Sequence, residues 1–259
     1  MNISPERTPP RDWPNPPRSF RGAALAFVCA LVALLGWFMV VLLAVGGELM
    51  ASLPIVFTAA FFSLAAGLAI SRTRKLRPNT ENPPTAMTPH GETGLAFAYS
   101  RRRYVWNLSF VGLIAVGLAG YAITGAWAGG TDGLVRAVVC GALAVGSAWI
   151  VLSAVRKSPG GIVVTAAGIY HHTPALEQYV PWDAVREVVP ETLPAAWIGV
   201  PFESMPGVRE RTRGGILGKG AGGRPYLMLE AAWLGENAMP AYQCLRYYFE
   251  NPDRRSELG

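Results

Sequence analysis

Charge is what this chain has least of, and it is missing in blocks. Only 15% of its 259 residues are Asp, Glu, Lys or Arg, and there are three histidines; residues 23–45, 51–70, 105–127 and 137–155 contain none of these five types. As helices rising ~1.5 Å per residue, such runs are long enough to cross the ~30 Å hydrocarbon core of a bilayer. The reading is a multi-pass membrane protein with four spans arranged as two hairpins. With no ionisable side chain at depth, a pump or ion-coupled transporter lacks the group that would carry charge. Connections of about five residues after Val45 and nine after Trp127 leave too little outside for a receptor of bulky external ligands. Cysteine is scarce too: Cys29 and Cys140 fall inside spans and Cys244 in the tail, with no spacing for zinc and no disulfide framework. No Ser or Cys sits in a nucleophile motif and no carboxylates pair in a catalytic context, so neither an enzyme nor a cofactor or metal is expected.

The charge that is present sits where topology needs it. Arg7, Arg11, Arg18 and Arg21 precede the first span, and Arg72, Arg74, Lys75, Arg77, Arg101, Arg102 and Arg103 fill the connection of residues 71–104. Arg156 and Lys157 follow the fourth span, while the two other connections offer Glu48, Asp132 and Arg136. Basic residues near span ends stay on the cytoplasmic side. Both termini and the central loop are therefore expected in the cytoplasm of a cell (inner) membrane, with Arg101, Arg102, Arg103, Arg156 and Lys157 as anchors at anionic lipid. The first 157 residues carry 14 basic and 6 acidic side chains and the remainder 9 and 11, so the excess of +6 reports membrane contact and not a nucleic-acid surface. The first span, an uncharged run of 23 residues, is too long for a cleaved signal core of roughly 7–15. Arginine outnumbers lysine 20 to 3 in a chain rich in Ala and Gly, a bias of GC-rich bacterial genomes.

Residues 1–22 hold Pro5, Pro9, Pro10, Pro14, Pro16 and Pro17 with almost no apolar side chains, and are expected to be a disordered cytoplasmic tail. The central loop has a similar character, its end at Leu95–Tyr99 reading as a short turn in the headgroup layer. Small residues recur at four-residue spacing in the spans, Ala115 with Ala119, Ala137 with Gly141 and Ala144 with Ala148, which permits close helix packing and self-association.

Residues 156–259 change character. Short apolar runs broken by turn residues read as strands at 161–165, 169–173, 178–182, 185–189, 195–202 and 225–230. Pro240, Cys244, Leu245, Tyr248 and Phe249 then trace a helical face over residues 237–250, with Asn237 as N-cap and Asn251-Pro252 as stop. Antiparallel strands closed by one C-terminal helix outline a small β-rich domain of pleckstrin-homology (PH) type. Thr165-Ala-Ala-Gly168-Ile169 followed by Val180-Pro181-Trp182-Asp183-Ala-Val185 resembles the opening of bacterial PH-like domains fused to membrane helices. The stretch Leu245 to Leu258, with Asn251-Pro252 and Arg254 inside it, is similar to the tails of actinobacterial members. The resemblance covers residues 160–259 and implies a fold and a non-enzymatic habit without a defined ligand; the insertion of residues 204–224 departs from it.

That insertion holds the richest local motif. Arg209, Arg211, Arg213, Lys219 and Arg224 stand among glycines with one acid, Glu210, in a tail otherwise acidic. Guanidinium groups on flexible backbone suit a phosphate headgroup, and a mobile solvated loop is the bland alternative. Gly218-Lys-Gly220-Ala-Gly-Gly223 spells a dinucleotide fingerprint but lacks the flanking strand and helix, and the Walker pattern lacks its first Gly and its Ser or Thr. His171 and His172 are adjacent, so on a strand they face opposite ways and share no metal, and His90 sits alone in the loop. Asp183 reads as a strand-end turn beside a core tryptophan. The expectation is a membrane-held binding or scaffold module meeting a protein partner, anionic lipid headgroups, or both. The alternative is a small transporter or transporter subunit for a neutral or lipidic molecule, using Asn107, Thr124 and Ser147 and regulated by the tail.

Overall fold

The computed structural model describes residues 13–14, 20–47, 49–73, 79, 81–192, 196–212 and 225–259, with the side chains of 20–22, 49–53, 72 and 73 excepted. The chain divides into two compact units, one of residues Arg18–Arg74 and Arg102–Lys157, the other of Met1–Pro17, Lys75–Arg101 and Ser158–Gly259.

The first unit is helical: α1 (Phe20–Val45), α2 (Leu49–Thr73), α3 (Arg101–Ala128, whose first residue belongs to the second unit) and α4 (Gly130–Val155). All four are long and apolar enough to span a membrane. Their large side chains point outward, with Trp127 83%, Val145 71% and Phe27 69% exposed, a surface that suits hydrocarbon and not water. Since lipid tails are as apolar as leucine, contacts between spans rest on shape and polar pairs. Gly36 of α1 lies on Ala59 of α2, where an added Cβ would come within 2.9 Å of the Ala59 Cβ. One turn away Trp37 Nε1–H donates to Ser63 Oγ at 3.1 Å, and Ser63 in turn donates to Ala59 O at 2.7 Å. Between α2 and α3, Gly67 receives the Trp106 ring, Gly117 receives Phe57, and Phe61 lies 5.1 Å from Phe110.

The connection between α3 and α4 is shorter than the nine residues expected. Both helices run on until only Gly129 separates them, and Gly129 and Gly130 take φ of 68° and 67°, which favours glycine. Charge marked the end of the apolar run but not of the helix: Asp132 in the first turn of α4 suits the helix dipole, and the Arg136 guanidinium sits 5.1 Å from the Tyr121 ring centroid. At the opposite end of this hairpin, Tyr104 Oη–H donates to Ala154 O at 2.7 Å.

The second unit contains nine antiparallel strands among the described residues. A six-stranded sheet runs β1-β2-β3-β4-β5-β8 and a three-stranded sheet β6-β7-β9. The strands are β1 (Thr85–Met87), β2 (Thr93–Ala98), β3 (Gly161–Thr165), β4 (Gly168–His172), β5 (Leu176–Pro181), β6 (Val189–Glu191), β7 (Trp197–Pro201), β8 (Arg209–Thr212) and β9 (Tyr226–Glu230). A short helical turn α5 (Ala231–Leu234), helix α6 (Ala238–Glu250) and a 3-10 segment (Pro252–Leu258) follow. Alternation in the strands sends Phe97, Ile162, Val164, Ile169 and Val180 into one core with Ile198, Val200, Leu227 and Leu229 of the smaller sheet and Ala241, Tyr242 and Leu245 of α6.

Four expectations change here. Leu95–Tyr99 is no interfacial turn: β2 pairs with β3 from Gly94↔Thr165 to Ala98↔Gly161, and Phe97 is 2% exposed. A lone hairpin is marginal, and this one is stabilised by a strand that arrives only after α3 and α4. Residues 185–189 are not one strand, because Trp182–Ala184 forms a 3-10 turn, Val185 makes a single bridge to Phe202, and β6 starts at Val189. Trp182 is buried and donates to Thr165 O at 2.9 Å, as a core tryptophan beside a turn should. Asn237 makes no side-chain cap; its amide donates to Ala98 O and accepts from Asn79 Nδ2, both at 3.1 Å, tying the central loop to the tail. In the N-terminal tail, expected to be disordered throughout, Trp13 is 3% exposed within the core of this unit.

Candidate functional site

On the outward face of the six-stranded sheet, the β1–β2 turn folds over β4 and β5. Thr88 shapes that turn: its amide donates to Glu92 O at 2.7 Å and its hydroxyl accepts the Glu92 amide at 3.2 Å. Gly91 at φ 84° completes it, a conformation other residues resist. His90 is thereby placed between two rings, 6.3 Å from Tyr170 and 6.1 Å from Tyr179. Two clefts flank it and share His90, Tyr179 and Arg209, one of ≈ 230 Å³ reaching Asp183 and Met205, the other of ≈ 200 Å³ reaching Glu177 and Arg211.

The polar groups of these clefts are of both signs. Glu92 Oε2 lies 2.8 Å from the Thr165 hydroxyl, and Glu92 Oε1 accepts from Tyr179 Oη at 3.4 Å. Tyr170 Oη–H donates to Glu177 Oε1 at 2.7 Å. Burial, and then the Glu92 carboxylate, push the Tyr179 hydroxyl above its ordinary pKa, so it stays a donor. Arg209 and Arg211 alternate on β8 and share the outward face, opposite Tyr179 and Glu177 respectively. Both are exposed, and neither forms an ion pair among the described residues. The arrangement offers guanidinium donors next to aromatic rings, with Glu92 and Glu177 bonded by tyrosines while Asp183 and Glu210 also line the clefts.

Of the five basic residues singled out in the insertion, the structure brings together Arg209 and Arg211; Arg213, Lys219 and Arg224 lie outside the described residues. Arg101, Arg102 and Arg103 form the first turn of α3 and Arg156 caps α4, with Lys157 next. His90, Glu92, Tyr170, Glu177 and Tyr179 were not singled out for the site. Alternation along β4 and β5 already placed Tyr170, Glu177 and Tyr179 on one face, but nothing local announced the turn that carries His90 over them.

Elsewhere the titratable groups are built into the core. His171 Nε2 and Tyr99 Oη share a hydrogen bond of 2.7 Å, and burial, helped by the neighbouring His172, pushes the His171 pKa down to about 3. Burial pushes the Cys244 thiol up to about 12, keeping it a poor nucleophile. No cluster of metal-ligating side chains occurs among the described residues. In the helical unit Asn107 donates to Arg103 O at 2.8 Å and Thr124 to Tyr121 O at 2.9 Å, each bonding back to its own helix. In comparisons with known proteins, no family model, no curated protein and no solved structure matches this chain.

Proposed function

We propose that this chain is a membrane-anchored binding module of PH-like type, held by four spans at the cytoplasmic face of a bacterial cell membrane. Its cleft takes an acidic segment of a protein partner, while the arginines at the span ends contact anionic lipid. The reading rests chiefly on Arg209 and Arg211, two guanidinium groups without an ion pair among the described residues, beside the Tyr170, Tyr179 and His90 rings. Carboxylates are recognised by such forks, and aromatic neighbours add contact area at little entropic cost.

Two further observations support the membrane part. Arg101, Arg102 and Arg103 occupy the first turn of α3, a turn that holds no acidic residue, so their charge runs against the helix dipole. Helix stability does not place them there, whereas attraction to anionic headgroups does. The β2–β3 pairing, which joins the central loop to the tail, supports placing both on one side of the membrane, the side the basic residues of both favour. Holding the module at the bilayer raises its effective concentration toward other membrane components, so weak contacts suffice. The transporter alternative has Asn107 and Thr124 against it, since both spend their side chains on their own backbone.

Crosslinking mass spectrometry in intact cells tests the proposal. Crosslinks from the soluble unit to a protein are expected, and charge reversal at Arg209→Glu with Arg211→Glu should remove them. Crosslinks that persist unchanged in the double variant would refute the role given to the cleft.

A further inference from the structure

Trp13 has an environment its own segment does not explain. It is 3% exposed, and Pro14 after it is also buried. The indole stacks at a tilt on Tyr242 of α6, ring centroids 5.0 Å apart, and Nε1–H donates to Glu191 O on β6 at 3.3 Å. Tyr242 is itself 1% exposed and belongs to the core that α6 shares with the smaller sheet.

The segment that carries this tryptophan has six prolines before residue 18 and no other aromatic before α1. Such a sequence forms no fold of its own. The pocket is thus built by β6 and α6, from the far end of the chain, and among the described residues of the N-terminal segment Trp13 and Pro14 are buried at it. A tryptophan in a desolvated pocket, hydrogen-bonded through its indole N–H and flanked by prolines that limit the freedom of the unbound peptide, has the anatomy of a peptide anchor.

We propose that the pocket between β6 and α6 is a docking site for a tryptophan–proline peptide, and that the chain's own Trp13-Pro14 occupies it as a ligand in cis. This site is separate from the His90 cleft and does not depend on the reading given to it. Tethering gives the cis ligand an effective concentration in the ~mM range, so a competing segment must be abundant or bind more tightly. Because α1 begins at Phe20, only a few residues beyond the anchor, release of Trp13 frees the chain directly ahead of the first span.

The test uses the full chain in detergent, with a protease site placed between Pro17 and Phe20. After cleavage the N-terminal fragment should co-elute with the rest of the protein on size exclusion, and excess synthetic peptide of residues 5–17 should displace it. The same peptide with Trp13→Ala should compete at least ~10-fold more weakly, as expected for a hot-spot side chain. In parallel, the uncleaved Trp13→Ala protein should bind labelled peptide that the wild type, already filled, does not. Loss of the fragment on cleavage without rebinding overturns the proposal. So does equal competition by the Trp13→Ala peptide. If displacement abolishes hydrogen-exchange protection throughout β7 and α6, Trp13 is a core residue and not a ligand, and the proposal fails as well.

Discussion

Replacing Phe97 with alanine should loosen the β-rich unit even though α3 and α4 separate Phe97 from most of it in sequence. The side chain is 2% exposed, it sits opposite Ile162 in the β2–β3 ladder, and it joins the core formed by both sheets and α6. Truncating a buried phenylalanine costs about 3–5 kcal/mol once the cavity is included. Against a total of about 5–15 kcal/mol for a typical domain, that is a large fraction. One factor of ten corresponds to about 1.4 kcal/mol, so the slowest amides of β3 and β4 should exchange roughly a hundred to several thousand times faster in the variant. Hydrogen–deuterium exchange on the full chain in detergent reads this directly, with the outward-facing Ala96→Ser as the control that should leave rates unchanged. Were residues 95–99 an interfacial turn, Phe97→Ala would leave β3 untouched. Exchange within about threefold of wild type at Ile162 and Val164 would therefore refute the shared core.

Other outcomes follow from the same structure. His171 is held near pKa 3 when folded and returns toward 6.5 when unfolded, so the unfolded chain takes up the proton first as pH falls. Its contribution is complete above about pH 6.5 and is lost toward pH 3, at up to about 1.4 kcal/mol per pH unit; the acid slope of the melting temperature should be shallower in His171→Gln, and an unchanged slope would count against it. Gly36→Leu should separate α1 from α2, because even a Cβ there meets Ala59 at 2.9 Å; a detergent melting temperature equal to wild type would contradict that packing. Cysteines at Ala96 and Val163, a cross-strand pair, should form a disulfide on mild oxidation of membranes carrying a chain otherwise freed of Cys29, Cys140 and Cys244; failure to crosslink, read by thiol mass-tagging, would break the β2–β3 register.

What the sequence made legible was the part encoded locally. Uncharged runs located the four helices, and short apolar runs between turn residues located β3, β4, β5, β7 and β9 within a residue or two. Helical spacing from Pro240 to Phe249 likewise revealed α6. The elements missed depend on distant partners. β2 is six residues long in a proline-rich loop beside a span, and only pairing with β3 makes it a strand. Trp13 reads as one aromatic in a polar tail until the surfaces of β6 and α6 are available to receive it. The candidate site fared the same way. Arg209 and Arg211 stood out by composition, but the cleft beside them exists because the turn at His90 is carried over the sheet from the other segment.

The division of one β unit between a loop and a tail also bears on how the chain threads a bilayer. Ala98 pairs with Gly161, so the chain must leave and return to the same side between them. The only long apolar segments in that interval are α3 and α4, joined through Gly129 alone. They therefore cross together or not at all, and a three-span arrangement that omits one of them is incompatible with the sheet. Trp127 and Trp149, 83% and 71% exposed, give these helices a surface better suited to hydrocarbon than to water.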